Sequence, residues 1–193
     1  MKRAKLGDVY AFKTDRGYRL LQWAYKIEKY GEYTRVFPGF YQEQPSDIQE
    51  IVDGDCAYIS DFSVAKLYRK GLLEHWGNYP INDNIPFPSH DIRYTPMSDA
   101  NGYLDTKGYF EICESTCHTH FETFLGTPAG EGIPVKYKNI KLICGSVDPI
   151  WFIYLISSDF DLAHWNLYWP GEKWDELNQK YGDVVWDKRE TKS

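Results

Sequence analysis

Methionine is nearly absent from this chain of 193 residues: there are 2, against 16 Tyr, 10 Phe and 7 Trp. With so little of the flexible, gap-filling side chain, the core has to be assembled from rigid rings, which suit the pleated surface of a sheet. Long apolar runs are lacking as well. The longest, IWFIYLI at 150–156, falls far short of the roughly 20 residues needed to cross a bilayer. The basic opening MKRAKLGDVYAF is not followed by an apolar run of signal-peptide length, so the expectation is a cytoplasmic protein with no membrane partner. Four cysteines without dense spacing fit reduced thiols better than a disulfide framework. No GxGxxG occurs, and the Gly-rich GTPAGEG (126–132) lacks the Lys-Ser/Thr ending of a phosphate-binding loop, which argues against a nucleotide site.

Basic residues are scarce in one half only. Residues 1–96 hold 13 basic and 13 acidic side chains, whereas 97–193 hold 9 and 15, so the net charge of -6 arises entirely in the C-terminal half. Within 148–187, eight acids (Asp148, Asp159, Asp161, Glu172, Asp175, Glu176, Asp183, Asp187) face only Lys173 and Lys180. Such a field repels phosphate backbones and attracts basic proteins, so no nucleic-acid partner is expected. A second run, Glu43 to Ala65, carries six acids and no base.

The length suits a single domain over 1–193. GDVYAFK (7–13), YRLLQWAYKI (18–27) and YTRVFPGFY (33–41) read as a three-stranded meander, turned by TDRG and EKYGE. Pro38 in the third run predicts an edge or a bulge. PSDIQEIV (45–52) predicts a short helix with Ser46 as N-cap and Gln49 completing a capping box. The stretch 57–77 is open between strand and a helix around VAKLYRK, and 79–102, with four prolines, reads as an extended connection. YFEICES (109–115) and IPVKYKNIKLICG (133–145) read as strands. Asp148 and Pro149 predict a helix start, and GEKWDELNQKYG (171–182) places Trp174, Leu177 and Tyr181 on one helical face with Gly182 as the C′ residue. The fold class is therefore α+β: a curved, mainly antiparallel sheet, able to be barrel-like, with short flanking helices near 47–52, 149–157 and 171–181.

The densest chemistry is ICESTCHTHFE (112–122), where Cys113, Cys117, His118 and His120 crowd together. As a helix, Cys113, Cys117 and His120 would share a rough face and could ligate zinc. As a strand, the cysteines and histidines point to opposite faces, and the residues are ordinary small buried thiols and partly exposed rings. A nucleophilic Cys117 would need His118 to converge on it, which sequence adjacency does not secure. A metal-dependent enzyme built on these four residues is the alternative reading; the primary reading assigns no catalytic residue, metal or cofactor.

Five of the seven tryptophans, Trp151, Trp165, Trp169, Trp174 and Trp186, interleave with the C-terminal acids. The bland account is core rings within solvated acidic faces. The sharper one is a docking surface of aromatic anchors in an acidic rim, for which Asp159, Asp161, Trp169, Glu172, Trp174, Asp175 and Glu176 are the candidate partner-binding residues.

KLGDVYAFKTDRGYRLLQWAYKI, followed by YTRVFPGFY and then LLEHWGNYPINDNIPFP, resembles immunity protein family 26 of the bacterial polymorphic toxin systems. Members open with a Gly-Asp-Val-like strand and a Gly-turned hairpin and later carry a Trp before a Pro-containing connection. The matching positions are Gly7, Asp8, Gly17, Tyr18, Trp76, Pro80 and Pro86, over roughly residues 6–94. The resemblance implies a non-catalytic bacterial protein that binds and neutralises a cognate toxin encoded beside it. It also implies that Gly7, Asp8 and Gly17 hold the scaffold, while recognition falls to the acids, which would suit a toxin with a basic surface.

Overall fold

The computed structural model describes residues 3–28, 31–98, 104–115, 120–126, 134–137, 139–143, 149–158 and 171–186. Strands β1 (Asp8–Thr14), β2 (Gly17–Ile27), β3 (Gly31–Val36), β4 (Tyr58–Ser60) and β5 (Leu73–Asn78) form an antiparallel array in the order β5-β1-β2-β3-β4. A second antiparallel array joins β6 (His90–Ser98), β7 (Leu104–Glu114) and β8 (His120–Gly126). Between them lies β9 (Leu142–Ile143), which pairs in parallel with both β4 and β6. The class is α+β with a mainly antiparallel sheet, as expected. Closure into a barrel does not occur, because β5 and β8 remain its two edges.

Consecutive strand residues point to opposite faces, and here both faces are covered. Tyr10, Phe12, Leu21, Trp23, Val36 and Tyr58 enter one core. Their neighbours Val9, Ala11, Leu20, Phe37 and Ile59 enter another on the reverse side. Helices α2 (Val64–Arg69), α3 (Pro149–Ser157) and α4 (Gly171–Val185) supply side chains to the first core, and α1 (Ile48–Asp53) with part of the 79–89 connection covers the second. This two-sided burial explains why β1 reads as an almost unbroken apolar run rather than an alternating one.

One buried arginine on each face ties a helix C-terminus to the sheet. Arg19 donates to the carbonyls of Gly39 (2.9 Å) and Ser158 (3.1 Å), the latter just past α3. Arg35 donates to Val52 O and Gly54 O, both at 2.7 Å, at the end of α1. The orphan carbonyls of a helix end accept cationic donors well, which is how charges this deep are accommodated.

Several local expectations are corrected. Residues 90–98, expected within an extended connection, form β6; its Pro96 is tolerated because, beyond Ile92, β6 has no ladder partner on its second side among the described residues. Pro38 marks neither an edge nor a bulge: β3 is internal and ends at Val36, and the chain turns through Gly39 (φ 75°). The capping box is not formed. Asp47 is the N-cap, Ser46 Oγ donates to Asp47 Oδ2, and Gln49 Nε2 donates to Asp53 Oδ1. Among the described residues of 133–145 only β9 is a strand; Val135–Tyr137 is a 3-10 turn closed by Tyr137 N to Pro134 O. The open stretch 57–77 resolves into β4, α2 and β5. Asp148 lies outside the described residues, and Pro149 does begin α3.

Candidate partner-binding face

Helix α3, PIWFIYLIS, is apolar nearly all round, and Ile150, Phe152, Ile153, Leu155 and Ile156 are buried. Its Phe152 stacks on Phe62 with ring centroids 4.3 Å apart. A helix this apolar needs cover on its outer side, and α4 packs along it. The predicted inward stripe of α4 is met: Leu177 is buried, with Trp174 and Tyr181 half-buried against the same core, and Tyr181 sits 5.9 Å from the Phe12 ring. Gly182, however, is not a C′ residue. The helix runs on to Val185, which is 1% exposed, and Trp186 N bonds Gly182 O at 2.8 Å, so burial of one more apolar side chain carries the helix past its glycine.

The outer surface of α4 presents Asp175, Glu176, Gln179, Lys180 and Asp183 to solvent. Three carboxylates thus face one ammonium. Lys180 sits 5.0 Å over the Tyr181 ring, and its ammonium is held above the usual lysine value, first by its hydrogen bond to Tyr181 and also by Asp15 and Glu176. Asp15, exposed in the β1–β2 turn, therefore joins this acidic rim from the other end of the chain. At the C-terminal end of the helix Val184 (40% exposed) and Trp186 (38%) stand out as apolar surface. The indole is not loose: its Nε1 donates to Asn178 Oδ1 at 3.1 Å, about two turns back along the helix.

Of the seven predicted partner-binding residues, Trp174, Asp175 and Glu176 share this helix, with Trp174 facing inward rather than out. Glu172 falls in its first turn. Asp159, Asp161 and Trp169 lie outside the described residues. Missing from the predicted set are Asp15, Asp183, Val184 and Trp186; Asp15 carries no sequence signal, because only the fold brings it to α4.

The alternative metal cluster is reached in two of its four members, Cys113 and His120, which are partners across the β7–β8 ladder next to a register shift. Cys113 is buried while His120 is exposed and hydrogen-bonded to Thr123. Burial pushes the Cys113 thiol up, with Asp91 and Glu111 adding to it and Arg93 opposing, the reverse of what a ligating or nucleophilic thiolate needs. Cys117 and His118 lie outside the described residues, and among the described residues no three His, Cys, Asp or Glu side chains gather as a metal set.

Of the seven positions that carry the family resemblance, Gly7, Gly17, Tyr18 and Trp76 are framework. Gly7 (φ 86°) lies against Pro80 and Asn78, where an added Cβ would come within 3.2 Å of both. Gly17 (φ 121°) sits under the Tyr41 carbonyl, which an added Cβ would meet at 2.7 Å. Tyr18 and Trp76 pack as rings 5.1 Å apart. Pro86 lines a pocket on the same side of the sheet as α1. No family model, curated protein or solved structure matches the chain. Among the described residues no helix is long and apolar enough to cross a membrane.

Proposed function

We propose that this protein is an immunity protein that neutralises a bacterial toxin by docking the outer face of α4 onto a basic surface. The observation that carries the reading is the pairing of Asp175, Glu176 and Asp183 with a pinned, exposed Trp186 on a helix whose other side is locked into the core. Carboxylates on the rim steer a basic partner into encounter, and a preorganised aromatic anchor supplies residence time. The family resemblance points the same way and supplies the partner class.

The test is association with the toxin domain encoded by the neighbouring reading frame. The triple variant Asp175→Lys, Glu176→Lys, Asp183→Lys should lower the association rate about 10–100-fold at low salt and flatten its salt dependence. Trp186→Ala should raise the dissociation rate instead. Complex formation indifferent to all four changes would remove α4 as the docking face.

A further inference from the structure

Helices α2 and α4 cover the same face of the sheet, since Val64 and Leu67 of α2 enter the same core as Leu177 and Val185 of α4. They are also neighbours there. On β1 the Tyr10 ring meets Tyr68 of α2 at 4.9 Å, and the Phe12 ring meets Tyr181 of α4 at 5.9 Å. Residues two apart on a strand are about 7 Å from each other along it, so the two helices present their outer surfaces on one side of the molecule. Their charges are opposite. Helix α2, VAKLYR, runs into Lys70 without an acid, and its Lys66 and Arg69 are exposed. Among the described residues neither of these two is joined to a carboxylate in an ion pair. Helix α4 exposes Asp175, Glu176 and Asp183, with Val184 and Trp186 exposed at its end.

A surface that carries a basic and an acidic patch side by side is self-complementary: a half-turn about an axis between them sets each patch on its opposite in a second copy. We infer that a second copy of this chain docks there, α2 of each protomer on α4 of the other, in a reciprocal two-fold dimer. The net charge of -6 does not forbid it. At physiological salt the Debye length of about 8 Å leaves the facing patches, rather than the charge of the whole chain, to decide. Exposed ion pairs each contribute little. Symmetry doubles the set, and Val184 and Trp186 add apolar area beside the carboxylates, which suits a weak, exchanging dimer and not an obligate one. No toxin is needed for this contact, so it stands or falls apart from the toxin reading.

The test is sedimentation equilibrium of the full-length protein, alone and in mixtures. The unaltered chain should show a monomer–dimer equilibrium. Lys66→Glu with Arg69→Glu should weaken the dimer about tenfold or more, and so should Asp175→Lys with Glu176→Lys, since each pair sets like charges opposite one another. An equimolar mixture of the two double variants should regain the dimer, because one contact is then native and the other has its charges exchanged. All four positions are exposed, so thermal melts of both variants should stay near that of the unaltered chain. A chain monomeric up to about 1 mM, a dimer indifferent to both pairs of reversals, a mixture that fails to regain it, or assembly beyond dimers would each overturn the reciprocal contact.

Discussion

The Asp8 carboxylate gathers four donors: the Lys5 amide at 2.7 Å, Asn78 Nδ2 at 2.9 Å, Tyr10 Oη at 3.1 Å and His75 Nε2 at 3.2 Å. Burial alone would raise its proton affinity, but the hydrogen bonds from Asn78, Lys5, His75 and Tyr10 together outweigh that and hold the carboxyl below its usual value. A carboxyl held low contributes stability above its ordinary titration range and loses it as pH falls through the folded-state value. The chain should therefore lose stability below about pH 4, and Asp8→Asn should remove part of that loss while costing about 1–3 kcal/mol near neutrality. Urea midpoints measured across pH 2–7, a range spanning ordinary carboxylate values, check both parts; an acid limb unchanged by Asp8→Asn would discount this carboxylate. Tyr25→Phe is expected to act in the opposite sense, leaving stability unchanged or raising it by about 1 kcal/mol, because the lost hydroxyl is desolvated and has no hydrogen-bond partner among the described residues. Thermal melts read this directly, and a clear fall would mean that the hydroxyl has an acceptor after all.

Helix α4 shows how one element serves two demands. Its inner stripe was legible in the sequence because Trp174, Leu177 and Tyr181 recur at helical spacing, whereas its end was not, since Gly182 reads as a stop until Val185 is seen in the core. A Cβ at Gly182 would sit 2.7 Å from Asn178 Oδ1, the atom that accepts from Trp186. Gly182→Ala should thus gain about 1 kcal/mol of helix propensity while forcing the flexible Asn178 amide aside and releasing the indole. The expected result is near-unchanged stability with a red-shifted, more quenchable Trp186 fluorescence, read against Trp186→Phe as blank. Strand β6 makes the complementary case: Pro96 and the prolines just before the strand spoke for a connection, and only pairing with β7 overrides them.

At the scale of the molecule, the sheet is two antiparallel arrays held at a narrow waist. Among the described residues, backbone pairing across that waist consists of Ile59 with Leu142, Ser60 with Ile143 and Ile92 with Ile143. So few ladder bonds should let β6 to β8 open before β1 to β3. Native-state hydrogen exchange is expected to show a lower opening free energy for β7 amides than for β2 amides, and coincident values would mean a single cooperative unit. Leu142→Ala, at a fully buried waist residue, should cost about 2–5 kcal/mol and widen that gap.

By itself the sequence determined the ring-rich antiparallel class, the β1–β2 hairpin through TDRG with its positive-φ Gly17, the start of α3 at Pro149 and the buried stripe of α4. These follow from local chemistry: side-chain period, turn geometry and proline's fixed φ act within a few residues. Tertiary structure alone decided that β6 is a strand, that Asp15 meets α4, that Cys113 and His120 lie on a strand ladder rather than on one helical face, and that Arg35 and Tyr25 line one pocket. Each of these is set by burial and strand pairing in the folded chain, which local spacing alone does not fix.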